Sequence, residues 1–116
     1  MSKLSWISLS KSKEDVFSIG TVFRCKGEYP HEEIVDFILI NYPHFPSGHA
    51  LIVASGYKAG HTVVALPAEA MYPNTYGISV QWVKENWKKW IYSVGPKTVF
   101  YTKHYIVDQN WTPKSR

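Results

Sequence analysis

The chain of 116 residues has room for one domain, and its 45% apolar content supplies one core. Charged residues, at 19%, are too few for a disordered tail protein, and no apolar run approaches the length of about eighteen residues that a membrane span needs. The single cysteine, Cys25, excludes an internal disulfide framework and every zinc motif built on cysteine pairs, while the net charge of +4 leaves several partner classes open.

The stretch from Met1 to Trp6 lacks a basic start followed by an apolar block, so it does not read as a secretion signal, and a cytoplasmic protein is expected. Trp6 to Leu9 reads as a short strand and Lys11 to Asp15 as a polar loop. Thr21 to Cys25 reads as a second strand, opened by Gly20 and closed by Gly27. Over residues 30–42 two patterns compete. Pro30 with Glu32 and Glu33 resembles a helix start, because carboxylates suit the positive end of a helix dipole. Phe37 to Tyr42 is β-branched and aromatic and ends at Pro43, which favours a strand over 34–42.

His49 to Ser55 and His61 to Leu66 are apolar runs on either side of Gly56-Tyr57-Lys58-Ala59-Gly60, the pattern of a β-hairpin. Both runs are apolar at odd and even positions, so both faces of the sheet should be covered there. Pro67 ends the second run. After a loop holding Pro73, Asn74 and Gly77, Ser79 reads as the N-cap of the one clear helix, Val80 to Ile91. At about 100° per residue, Val80, Val83, Trp87, Trp90 and Ile91 share one core-facing stripe. Gly95-Pro96 breaks the chain, Thr98 to Val107 reads as a long aromatic strand, and the tail from Gln109 is polar apart from Trp111. The expected fold is α+β: a mostly antiparallel sheet of about five strands with one main helix packed on it, in a single domain over 1–116.

Charge is polarised along the chain. Residues 80–116 carry seven basic side chains against Glu85 and Asp108, whereas residues 27–57 hold Glu28, Glu32, Glu33 and Asp36 and no Lys or Arg. Basic charge admits a small nucleic-acid-binding module as an alternative reading. Against it, no recognition motif is present, and Arg24 and Arg116 are the only arginines, the side chain that reads guanine edges and clamps phosphate.

Catalytic and metal chemistry find little support. If Ser55 pairs with His61, His49 sits six residues further along its strand, about 20 Å away, so the two histidines cannot share a metal. No His-x-His or Cys-x-x-Cys spacing occurs, and the five-residue spacing of His44 and His49 is weak, so no metal or other cofactor is expected. Cys25 lies on an apolar strand, where a lone cysteine is usually a small buried hydrophobe and not a nucleophile. The Gly56–Gly60 segment lacks the helix that follows a phosphate-binding loop, so it reads as a hairpin turn needing positive φ, with Tyr57 and Lys58 exposed at its tip.

On the helix, Trp82 falls about 120° from the core stripe, on the side of Glu85 and Lys89. It reads either as an exposed anchor for a partner or as a side chain covered by a neighbouring loop or by Trp111. Lys84, Lys88 and Lys89 read as a solvated face. The acids at 28–36 read as a solvated edge or as a surface that meets a basic partner.

Gly48-His-Ala-Leu-Ile-Val-Ala-Ser-Gly-Tyr-Lys-Ala-Gly60, followed by Trp82-Val-Lys-Glu-Asn-Trp-Lys-Lys-Trp90, resembles small bacterial immunity proteins, and specifically the immunity protein 45 family. The resemblance spans residues 48–106 and rests on glycine and tryptophan patterns. It implies an α+β cytosolic protein, not an enzyme. Such a protein neutralises a toxin domain of a polymorphic-toxin or contact-dependent growth inhibition system by stoichiometric binding, a nuclease-type toxin being the expectation. Inhibitors of basic nucleases are usually acidic, and this chain is basic overall. Either Glu28 to Asp36 faces a basic toxin, or an acidic toxin meets Lys84, Lys88, Lys89 and Lys97. The residues expected at the partner interface are Tyr57, Lys58, Trp82, Lys89, Glu32, Glu33 and Asp36, with no catalytic, cofactor or metal residue.

Overall fold

The computed structural model describes residues 6–27, 33–93, 95–105 and 110–113. Eight strands and one helix follow in chain order: β1 (Ile7–Ser8), β2 (Val16–Phe17), β3 (Val22–Lys26), β4 (Ile34–Asn41), β5 (His49–Val53), β6 (Thr62–Ala65), β7 (Ile78–Ser79), α1 (Val80–Asn86, continued by a π turn over Trp87–Ile91) and β8 (Phe100–Thr102). Six strands form an antiparallel sheet in the order β1-β8-β3-β4-β5-β6, and β2 pairs with β7 in a second, small sheet. The fold is α+β, as expected from the sequence.

The competition over residues 30–42 resolves as a strand, β4, because its alternation suits a sheet covered on one side. Val35, Phe37 and Leu39 are buried towards the helix, while Ile34, Ile38 and Ile40 on the other side keep exposure. The hairpin forms between β5 and β6. Its turn needs left-handed backbone at Gly56 (φ 69°) and Gly60 (φ 93°), which glycine supplies without strain. His61 lies opposite Val53, whose N–H donates to its carbonyl at 2.8 Å, so Ser55 belongs to the turn and does not pair with His61. Only β5 is covered on both faces: β6 is the sheet edge, with Thr62 exposed and Val63 to Ala65 half-buried.

Two elements differ from expectation for reasons that lie far away in the chain. β2 is only two residues long and exists because Val16 and Phe17 face Ser79 and Ile78. Gly77 permits this approach: a Cβ there would collide with the Val16 side chain and stand 2.9 Å from the Phe17 carbonyl. The last strand is shorter than its aromatic run. Thr102 faces Val22, the first residue of β3, and the chain bends at Lys103 and His104 once that partner ends. Ile106 and Val107 lie outside the described residues.

The core lies between the helix and the inner sheet face. Ser79 caps α1 by accepting the Trp82 N–H at 3.1 Å. Trp87 is fully buried, 5.3 Å from Phe23 and 6.0 Å from Phe37 between ring centroids. Phe17 bridges to the small sheet, 5.1 Å from Phe23 and 4.8 Å from Tyr101. Trp90 departs from the expected core stripe and is 41% exposed. The cause is the π turn, closed by the Tyr92 N–H on the Trp87 carbonyl at 3.0 Å. Each residue of this wider turn advances by a smaller angle, so Trp90 stops short of the face that Trp87 and Ile91 occupy.

Trp87→Ala should therefore lower stability by about 3–5 kcal/mol in urea unfolding. Trp87→Phe should cost clearly less, because the indole N–H is buried without a hydrogen-bond partner among the described residues and the phenyl ring removes it. Equal losses for the two variants would show that the N–H carries no penalty.

Candidate docking surfaces

The outer sheet face is organised around one ion pair. Arg24 on β3 stands opposite Asp36 on β4 and donates to both carboxylate oxygens, Nε to Oδ1 at 2.7 Å and Nη2 to Oδ2 at 2.8 Å. Asp36 is 2% exposed. Its Oδ2 also accepts the Tyr105 hydroxyl at 2.7 Å, and its backbone N–H donates to Ser55 Oγ at 3.0 Å. The hydrogen bond from Arg24 to Asp36 is the main reason the guanidinium is held above its ordinary pKa, against the opposing pull of burial. Burial first, and then the bond to Asp36, holds the Tyr105 hydroxyl well above the usual tyrosine range. Trp6 lies over the guanidinium at 4.3 Å. Arg24 and Tyr105 thus meet on one buried carboxylate, with Trp6 stacked on the arginine.

Asp36 is accordingly no part of a free acidic surface. Its negative charge is spent on Arg24, an arginine outside the 27–57 window that its own strand brings alongside. Glu33 remains exposed. It lines a shallow groove with Ile34, Ser55 and Gly56, and borders a second groove of about 380 Å³ between Arg24, Lys26, Ile34 and Phe100. Ile34 (59% exposed) and Phe100 (43%) form the apolar floor of this corner. Glu28 and Glu32 lie outside the described residues.

The hairpin tip and the helix end each present exposed groups of another kind. Tyr57 is 68% exposed at the hairpin tip, with the Lys58 ammonium 5.6 Å from its ring centre. The π turn packs beside β6 and presents Lys88, Lys89 and Trp90 outward. Trp82 is half-buried against the core and leans on Trp90, with ring centroids 5.9 Å apart. The alternatives for Trp82 therefore meet halfway: it is partly covered, and its own helix supplies the cover. Of the expected interface residues, Trp82 and Lys89 share the helix, Tyr57 and Lys58 the hairpin tip, and Glu33 lies beside that tip next to Gly56. Asp36 points to the opposite sheet face from the helix.

Sequence reasoning missed Trp90, Ile34, Phe100 and Tyr105. For Ile34 the strict alternation with buried Val35 was the available signal. For Trp90 no local signal exists, since a π turn leaves no mark in apolar spacing. His49 is fully buried with Nδ1 2.7 Å from the Ser47 carbonyl, whereas His61 is exposed. Among the described residues no group of three or more His, Cys, Asp or Glu could hold a metal ion.

The profile of Immunity protein 45 matches residues 9–100. The chain belongs to the immunity protein 45 family. No curated protein and no solved structure matches it. As a member of that family the protein has a toxin-immunity role, which implies binding to a cognate toxin. Among the described residues no helix is long and apolar enough to cross a membrane.

The ion pair makes two measurable claims. Arg24→Ala leaves Asp36 buried without its cation. It should cost about 2 kcal/mol, below the figure for a fully buried pair because the Arg24 side chain is 40% exposed and screened by water. Tyr105 is favoured in its protonated form by the fold, so its contribution is present at neutral pH and lost as pH rises beyond about 10. The gap in melting temperature between wild type and Tyr105→Phe should be widest near pH 7 and close in alkali. A gap that stays constant would show that the hydroxyl contributes nothing through Asp36.

Proposed function

We propose that the protein is a cytosolic immunity protein that binds the toxin domain of a polymorphic-toxin or contact-dependent growth inhibition system and blocks it stoichiometrically, without catalysis. The observation that carries this reading is the family match over residues 9–100. The surface is consistent with it: exposed aromatics stand beside cations on a rigid sheet-and-helix scaffold, the composition that protein–protein interfaces favour. A nuclease-type toxin remains the specific expectation.

Of the two charge arrangements open at the outset, the geometry favours the basic one. Asp36 is neutralised internally, while Lys88 and Lys89 project from the π turn beside two tryptophans. The contact residues we assign are Tyr57, Lys58, Trp82 and Lys89, joined by Trp90, with Glu33 at the border of the hairpin tip. Asp36 supports that border from beneath through Ser55.

The test is co-expression. Where a neighbouring gene encodes a large exported protein, its C-terminal domain is expressed with and without this chain, and growth and co-purification are scored. Rescue of growth with a one-to-one complex is the expected result. Toxicity without rescue or binding would overturn the reading, and a steep, salt-sensitive affinity for RNA or DNA would replace it with nucleic-acid binding. Within the complex, Trp90→Ala should weaken binding by about 2 kcal/mol in calorimetry and leave the melting temperature nearly unchanged. Trp82→Ala should lower both, because that ring also packs against the core.

A further inference from the structure

The two longest stretches of the chain without Asp, Glu, Lys or Arg are 37–57 and 70–83. Each supplies a turn, and the fold brings the two turns together. Residues 42–48 join β4 to β5, and residues 72–77 lead into β7. The first turn closes on itself. The Phe45 N–H donates to the Tyr42 carbonyl at 3.2 Å, the Gly48 N–H to the Phe45 carbonyl at 2.8 Å, and the Tyr42 N–H to the Gly48 carbonyl at 2.7 Å. Tyr76 fastens the second turn to the first. Its hydroxyl reaches the Gly48 carbonyl at 2.9 Å and the Asn41 side-chain oxygen, and its ring lies 4.5 Å from that of buried His49. Gly48, at φ 70°, makes the room, because a Cβ there would stand 2.8 Å from the Tyr76 hydroxyl.

This end of the molecule shows water an aromatic, uncharged surface. Phe45 is 45% exposed and Tyr76 55%, and half-buried Tyr42 stacks on Phe45 at 5.2 Å. Pro43, His44, Pro46 and Pro73 are exposed around them. Among the described residues, the charged groups that border it are Glu69, shortly before Met71, and Asp15, whose carbonyl accepts the Val80 N–H. Lys103, beside Gly20, lies 3.6 Å from Glu14, and Asp36 at the other end of β4 is already paired with Arg24.

We infer that this end is a contact between two copies of the chain. Each copy has a net charge of +4, so copies that meet through their lysines repel. A two-fold contact sets a patch against itself, and a surface without charge avoids placing like charges together. Homodimer contacts are more apolar than contacts between different proteins, with charge depleted and aromatic side chains enriched. A toxin is selected largely through charged and polar complementarity, which this end does not offer. Both turns are already held in place, so pairing costs little ordering entropy. Phe45 and Tyr76 of one copy pack on the same residues of the other. The hairpin tip with Tyr57 and Lys58 lies at the opposite end of β5 and stays free for a toxin.

The test is sedimentation velocity of the purified protein over a concentration series, at about pH 8, where histidine is uncharged. A dimer should form as concentration rises and should persist in high salt, since no ion pair holds it. Phe45→Glu and His44→Glu each place a carboxylate in the contact and should weaken association about tenfold or more. The melting temperature of dilute, monomeric protein should not change, and His44→Glu leaves the Tyr42–Phe45 stack intact. Tyr57→Ala, at the far hairpin tip, should leave association as it is. Wild type that stays monomeric up to about 1 mM would overturn the inference. A dimer that both carboxylate variants leave intact would overturn it as well. So would a monomeric free protein whose binding to a toxin domain is weakened by Phe45→Glu, which would assign this end to the toxin. The inference does not depend on the toxin-binding reading, and failure of either leaves the other standing.

Discussion

The burial of Trp87 between the helix and the inner sheet face is the contact on which the other parts depend. Phe23 from β3 and Phe37 from β4 hold its ring from the sheet side. Phe17, touching Phe23 and Tyr101, then ties the small sheet and β8 to the same centre. A ring this large commits the helix to one rotation. After Asn86 the backbone widens into a π turn that keeps Trp87 and Ile91 in the core and leaves Trp90 outside it. The exposure of Trp90 follows from that turn, which also carries the outward-facing Lys88 and Lys89.

The outer face obeys a different logic. It holds one buried carboxylate, and two groups from separate parts of the chain satisfy it, Arg24 and Tyr105, while the Ser55 hydroxyl accepts the Asp36 backbone N–H. Burying a charge is tolerable only with such a full set of partners. The result is a fixed corner in which Ile34, Phe100 and Glu33 sit at set distances from the hairpin tip. Rigidity of this kind matters for a protein that acts by binding, because little ordering entropy is then lost on association.

How much of this could be read from the residues depends on how local the cause was. The β5–β6 hairpin, its positive-φ glycines and the Ser79 cap are set by neighbours within a few positions, and all were legible. β4 was legible too, once Pro43 and the β-branched run outweighed the acidic start. β2 was not, because two residues become a strand only through Ile78 and Ser79, far along the chain. The pairing of Asp36 with Arg24 was hidden for a related reason: a window of like charge says nothing about the strand that will lie beside it. The aromatic run after Thr98 misled in the opposite direction, since strand length is set by the partner, and β3 begins only at Val22. At the candidate surface the hairpin tip and Trp82 were visible in the sequence, whereas Trp90 was not, since its exposure comes from the π turn.

That strand order has a consequence for how the protein is made. β8, near the end of the chain, is inserted between β1 and β3, both from its beginning, with Ile7 facing Tyr101 and Phe23 facing Tyr101 from the other side. On the ribosome the hairpins β3–β4 and β5–β6 can close as they emerge, but the sheet stays split until β8 has left the tunnel. Contacts of such long sequence separation also slow the final step. Until that step Phe17 and Phe23 lack the Tyr101 ring, so a chain that stops before β8 leaves part of the core uncovered. Copies that lack β8 therefore have a split sheet, and the completed fold waits on a three-residue strand.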